Sequence, residues 1–254
     1  MKFLLKNGVV LKKAVAVASE LMQSVAFKFN HEGLHFSGMD SSHVAMIVVN
    51  INKSLFDEYD LPEGEVQVGL GLKSLNSILK LVGEKDQLQI IYNESKNCVL
   101  NVQFANVQKK RNYDFDLKLI DIDNDELQVP EMEFTHGLNL MAVDFAQMIN
   151  DCVVFGDTVK IAIGDEKLVT SVEGETANSF MSLDGERKLS NDGEPVSMKL
   201  ALRYLQIFSK GKEVSKKVII RTLEGVPLEV TYPIDEVGKS SIVFYLAPKI
   251  EDDE

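Results

Sequence analysis

The stretch Leu11-Lys-Lys-Ala-Val-Ala-Val-Ala-Ser-Glu-Leu-Met-Gln23 places Leu11, Ala14, Val15, Ala18 and Met22 at helical spacing, with Lys12, Lys13 and Glu20 between them. Steps of three and four residues gather apolar side chains into one stripe, so residues 11–23 predict an amphipathic helix laid on a core. Next come a strand, the turn Asn30-His31-Glu32-Gly33, and a second strand through Phe36. A helix followed by a hairpin thus opens the chain.

The same unit recurs along the sequence. Residues 72–82 align Leu72, Leu75, Ile78, Leu79 and Val82 ahead of strands at 88–92 and 98–104. Residues 144–153 align Phe145, Met148, Ile149 and Cys152 ahead of strands at 159–163 and 168–172, joined at Gly164-Asp165-Glu166. Residues 199–210 align Ala201, Tyr204, Leu205 and Phe208 ahead of strands at 218–221 and 228–232, joined at Leu223-Glu224-Gly225. Period-two alternation also marks Val66-Val68-Leu70, Cys98-Leu100-Val102-Phe104, Tyr113-Phe115-Leu117 and Ile242-Phe244-Leu246. Four such units, paired into halves, predict an α+β fold of two similar domains, a structural repeat with little residue identity between the halves. Residues 118–130, Lys-Leu-Ile-Asp-Ile-Asp-Asn-Asp-Glu-Leu-Gln-Val-Pro, are acidic and break both periods. They read as the joint. The expected division is 1–117, a connector at 118–135, and 136–254 ending in the acidic tail Glu251-Asp-Asp-Glu254.

A chain of 254 residues carrying 27 Lys+Arg against 39 Asp+Glu, net −12, repels phosphates on average. If it meets a polyanion, its cations must share one surface. They do gather: Lys73 and Lys80 occupy the polar face of the second expected helix, which has no acid, and Lys199, Arg203, Gln206 and Lys210 form a stripe on the fourth, with Lys212 beyond. Lys12 and Lys13 stand on the first. Lysines on an exposed helix are often only a solvated face. The absence of aromatics from these stripes favours contact with a nucleic-acid backbone over base stacking. Cys98 and Cys152 read as buried free thiols of a reducing compartment. Lys2 and Lys6 bracket the apolar start, and the longest apolar run, 44–49, falls far below a span of ~20 residues. A soluble, intracellular protein with no membrane contact is expected.

At Ser37-Gly38-Met39-Asp40-Ser41-Ser42-His43-Val44 the chain resembles the proliferating cell nuclear antigen family of eukaryotic DNA sliding clamps. Leu117-Lys118-Leu119-Ile120-Asp121, Leu202-Arg203-Tyr204-Leu205 and Tyr245-Leu246-Ala247-Pro248-Lys249-Ile250 extend the likeness from Leu11 to the C-terminus in order and spacing. The resemblance implies two clamp domains per chain in a head-to-tail homotrimer, with helices lining a bore and antiparallel sheets outside. Edge strands at 109–117 and near 178–183 would meet between subunits. It implies a processivity factor for the replicative DNA polymerase that encircles duplex DNA without sequence readout, works in the nucleus in replication and repair, and needs no cofactor or metal. The DNA-facing residues would be Lys12, Lys13, Lys73, Lys80, Lys199, Arg203, Lys210 and Lys212. Partners (a clamp loader, DNA polymerase, flap endonuclease, DNA ligase) would insert a short helical turn with aromatic plugs into a pocket. Its lining would be Met39, His43 and Val44 from the first domain, Leu127, Val129, Pro130 and Phe134 from the connector, and Pro227, Tyr245, Ala247 and Pro248 from the second.

Four positions depart from the family pattern: Gln147 and Asn150 replace arginines on the third helix, Asp165 replaces a modifiable lysine near Lys160 and Lys167, and Phe134 replaces a tyrosine. Asp121-Ile-Asp123-Asn-Asp125 opens like a calcium loop, but Glu126 and Met132 stand where that loop needs Gly and Glu. Asp40, Ser42 and His43 are too close in sequence for a hydrolase triad, and no Gly-x-Ser-x-Gly elbow occurs. His31, His35 and His136 are scattered singles, and Gly69-Leu-Gly71 lacks the third glycine of a nucleotide fingerprint. With no convergent catalytic cluster, the chain is read as a non-enzyme. The alternatives are one subunit of a heterotrimeric clamp, which self-assembly would exclude, and a small-molecule enzyme, which turnover abolished by one point mutation would establish.

Overall fold

The computed structural model describes residues 1–61, 64–93, 98–106, 110–122, 132–164, 166–189 and 195–249. These fall into two compact units, drawn from Met1–Gly38, Val48–Leu127 and Ile234–Ser241, and from Met39–Ile47, Gln128–Pro233 and Ile242–Glu254. Along the first half run β1 (Lys2–Leu5), α1 (Gly8–Leu21), β2 (Ser24–Asn30), β3 (Gly33–Met39), β4 (Ala45–Asn52), β5 (Phe56–Asp60), β6 (Val66–Gly71), α2 (Leu72–Leu79), β7 (Leu88–Tyr92), β8 (Val99–Asn106) and β9 (Arg111–Lys118). Along the second half run β10 (His136–Met141), α3 (Ala142–Val153), β11 (Thr158–Ile163), β12 (Lys167–Glu173), β13 (Asn178–Asp184), β14 (Glu186–Leu189), β15 (Val196–Ala201), α4 (Leu202–Ser209), β16 (Lys217–Thr222), β17 (Leu228–Pro233) and β18 (Ser241–Leu246).

The two runs are the same sentence said twice. In the first unit the strands neighbour one another as β5-β1-β7-β8-β9 and β6-β2-β3-β4; in the second as β14-β10-β16-β17-β18 and β15-β11-β12-β13. Pairings are antiparallel, among them β1 with β5 and β7, β2 with β3 and β6, and β11 with β12 and β15. This is the expected α+β duplication. Within each unit a helix pair lies against sheet. Leu11, Ala14, Val15 and Ala18 of α1 and Leu72, Leu75 and Leu79 of α2 are buried. So are Phe145, Ile149 and Cys152 of α3 and Leu202, Leu205 and Phe208 of α4. Each large side chain buried this way contributes about 1.5–3 kcal/mol.

The element boundaries differ from the expected ones for local reasons. α1 starts three residues early because Asn7 accepts the Val9 N–H at 3.0 Å, capping the helix. Gly8 is required there, since a Cβ would sit 2.8 Å from the Leu88 Cβ. α2 stops at Leu79, where Leu81 and Val82 N–H turn to the Ile78 and Leu79 carbonyls, tightening the last turn. Lys199 is corrected: it lies in β15, paired in register with Lys160 of β11, and is not part of the α4 stripe. Cys98 is also corrected. It is exposed, at φ 81° in the turn before β8, so the alternation continued one residue past the strand. Cys152 is buried as expected, donates to the Thr170 hydroxyl at 3.4 Å, and burial raises its thiol pKa. Gly69 has a packing role: the Ile120 N–H donates to its carbonyl at 3.0 Å, and a Cβ at Gly69 would collide with the Ile120 carbonyl. Among the described residues no helix is long and apolar enough to cross a membrane.

Candidate nucleic-acid and partner interfaces

α2 and α4 carry cations at equivalent places. Each helix has eight residues opening on leucine. Lys73 and Arg203 are the second residues, and Lys80 and Lys210 are the C-cap residues seven positions on, two turns along the same side. All four are exposed. Lys212 is exposed in the 3-10 turn Lys210–Glu213 that follows α4. In the first unit Lys12 reaches from α1 to the end of α2, where its Nζ donates to the Val82 carbonyl at 2.6 Å and the Lys80 carbonyl at 3.1 Å. A cation at a helix C-terminus is favoured by the orphan carbonyls there. The same bonds bring Lys12 beside Lys80, so the first unit concentrates charge where the opening turns of α1 meet the end of α2. Asn76 Nδ2 donates to Ser19 Oγ at 2.9 Å and fixes the pair further.

α3 is different. Its exposed face presents Val143, Asp144, Gln147 and Asn150, with Val154 just beyond, and no cation. Gln147 Nε2 donates to Asp151 Oδ1 at 2.7 Å, so the amide is turned toward an acid on its own helix. Val143 and Val154 are 55% and 79% exposed, so this face offers a phosphate apolar side chains rather than cations.

A second cluster lies in the second unit, which includes residues 39–47. Met39, His43 and Val44 therefore join this unit in the structure. Asp40, buried, organises their loop. Its Oδ1 accepts the Val44 and Ala45 N–H at 2.8 Å each, and its Oδ2 accepts the Ser42 N–H at 3.0 Å and the Tyr204 hydroxyl at 2.7 Å. Burial opposes the charge, but these donors prevail and hold the Asp40 carboxyl down to about 2. Arg203 Nη2 donates to the same Tyr204 hydroxyl at 3.1 Å. Asp40 is thus spent on backbone and Tyr204, while His43 stands exposed at φ 57° and makes no contact with it beyond its backbone N–H. The loop is a scaffold for Met39, His43 and Val44, not a triad.

The C-terminal segment is tied to this scaffold at both ends of its Ala-Pro-Lys run. The Ala247 N–H donates to the Val44 carbonyl at 3.0 Å and the Lys249 N–H to the Lys199 carbonyl at 2.8 Å. Pro248, between them, has no N–H to place. Beneath lies a polar bed that sequence reasoning missed. Glu229, 2% exposed, pairs in register with Arg221, whose Nε donates to Oε1 at 2.5 Å. Thr231 Oγ1 donates to the same oxygen at 2.9 Å, and the Tyr245 hydroxyl donates to Oε2 at 3.1 Å. Burial, and then the Glu229 charge, push the Tyr245 phenol well above its ordinary pKa, so it remains a donor. The Arg221 guanidinium lies 5.1 Å from the Phe134 ring centre. Leu228, Val230 and Tyr232 alternate inward, but Glu229 on the opposite face is buried as well, because both faces of β17 are covered, which alternation alone does not reveal. Phe134, Pro227, Tyr245, Ala247 and Pro248 are all half-buried. Leu127, Val129 and Pro130, the calcium-like run from Asp123, Asp165 and the acidic tail lie outside the described residues. Among the described residues no group of three or more His, Cys, Asp or Glu is arranged to hold a metal ion.

A duplicated α+β fold with cations repeated at equivalent places on two helices is suited to contact a polyanion without reading its sequence. The model for the proliferating cell nuclear antigen N-terminal domain matches residues 1–127, and that for the C-terminal domain matches residues 128–249. The chain belongs to the proliferating cell nuclear antigen family. It is accordingly a DNA sliding clamp, a polymerase processivity factor in DNA replication, and not an enzyme.

Proposed function

We propose that three copies of this chain close into a ring around duplex DNA, with the helix pairs facing the bore and the sheets outside. The observation that supports this most is the matched cation pair: Lys73 and Lys80 on α2, Arg203 and Lys210 on α4, each two turns apart. Repeated around a ring, these would give evenly spaced phosphate contacts that no base sequence governs. Lys12, Lys13 and Lys212 would add to them, and topology would retain the ring where a net charge of −12 per chain opposes tight binding. The domain division would follow the connector at 118–135.

Ring closure has support from two open edges. β9 is the end strand of its sheet, with half-buried Tyr113 and Phe115, and β13 is the end strand of its own, with Phe180 77% exposed. Unpaired edges with exposed aromatics favour pairing with another chain. Sedimentation of the purified chain should give a three-copy species, and Phe180→Asp should shift it to single copies. Single copies of the unaltered chain at high concentration would refute the homotrimer.

The cleft of Met39, His43, Val44, Phe134, Pro227, Tyr245, Ala247 and Pro248 would receive short aromatic-plug motifs of partners working in the nucleus: the clamp loader, DNA polymerase, flap endonuclease and DNA ligase. Its support is that every described residue of the set belongs to one compact unit, in which Asp40 fixes Val44 and Glu229 fixes Tyr245. A motif peptide should lose roughly tenfold or more in affinity with Tyr245→Ala, as for a buried aromatic contact.

A further inference from the structure

We propose that Arg221 makes the partner cleft selective for peptides bearing a carboxylate beside the aromatic plug. This rests on the cleft assignment above and adds a specificity that apolar lining alone cannot supply.

The argument starts from an ion pair whose two ends differ in exposure. The Glu229 side chain is 3% exposed and the Arg221 side chain 37%. Glu229 is also fully committed: Oε1 takes Arg221 and Thr231, Oε2 takes Tyr245. The negative end is thus sealed beneath the surface and the positive end opens to it. A pair that is neutral overall presents a positive face to an incoming ligand.

The guanidinium is held where it would matter. Nε and Nη2 both point to Glu229, and the plane lies over Phe134. Nη1 makes no hydrogen bond among the described residues. A guanidinium fixed on one edge keeps its other N–H groups in a rigid fork, and little entropy remains to be lost when a carboxylate takes them. Phe134 and Tyr245, the two rings this pair touches, are those expected to receive the plug. A carboxylate on a residue flanking the plug would therefore meet an oriented donor set, and complementary charge at a partly open interface acts on selectivity more than on total affinity.

The experiment compares peptides that share one aromatic turn and carry either Asp or Asn at each residue flanking the plug in turn, titrated against the full-length chain. At the best position the Asp peptide should bind about fivefold more tightly, in keeping with a half-exposed charge pair. High salt should shrink the ratio. Arg221→Gln should bring it to about one while the Asn peptide still binds. Because that change leaves Glu229 buried without its cation, R221Q/E229Q removes both charges and should also give a ratio near one. Equal affinities at every position on the unaltered chain, or a preference that survives in both variants, overturns the proposal and leaves the cleft standing. Failure of every peptide to bind overturns the cleft and the proposal together.

Discussion

The second helices of the two units match, and the first helices do not. α2 and α4 have the same length, the same leucine start, and cations at the second and C-cap positions. α1 runs 14 residues with Lys12 and Lys13, whereas α3 runs 12 residues with Asp144, Gln147, Asn150 and Asp151 toward solvent or half-buried. Both pairs pack by the same means, a buried apolar stripe, of Leu, Ala and Val in α1 and α2 and with Leu, Ala, Phe and Ile in α3 and α4. The fold therefore constrains the inner stripe of every helix and leaves the outer face free to differ. What the outer face does must be read helix by helix.

The largest effect should come from cancelling the matched charges. In a three-copy ring, Lys73→Gln with Lys80→Gln removes up to six phosphate contacts and should flatten the salt dependence of equilibrium binding to short linear duplex, where topology holds nothing, by about five log-log units. Arg203→Gln with Lys210→Gln should do the same. Binding to that duplex across a salt series measures both, and an effect from only one pair would break the equivalence of α2 and α4. The reverse change on α3, Gln147→Arg with Asn150→Arg, should steepen the dependence, by less, because Asp144 and Asp151 oppose the added charge on that helix.

Much of this comparison was legible in the sequence. Apolar stripes at helical spacing and alternating strands are direct imprints of burial, and they gave four helices and the duplicated order. The strand β1 escaped because Lys2–Leu5 is only four residues, too short for alternation to register. Lys199 was assigned to α4 because its spacing to Arg203 continued a helical stripe, while β15 keeps that residue by pairing with β11. Asp40 and Glu229 could not be read as anchors. Their partners, Tyr204 and Tyr245, are 164 and 16 residues away, and only folding brings them together.

A smaller effect separates α4 from α2 again. The third residue of α4, Tyr204, is buried and bonded to Asp40, but its counterpart Ser74 is exposed. Tyr204→Phe should cost about 1–2 kcal/mol by denaturant midpoint, a charge-assisted bond lost, and Ser74→Ala less than about 0.5. Asp40 itself adds an effect that shows as a pH limb. Its folded pKa of about 2 lies below the ordinary 3.8, so its contribution is complete above pH ~4 and lost as the pH falls through about 2. Asp40→Asn should flatten that acid limb in a thermal melt series; an unchanged limb would mean that Asp40 is not held by its donors.

The encircling account itself turns on topology. Loaded onto closed circular duplex DNA and washed in high salt, the protein should stay bound, then leave when a single double-strand cut opens the circle. Equal retention on closed and cut DNA would show that surface attraction holds the two together, and would contradict the ring.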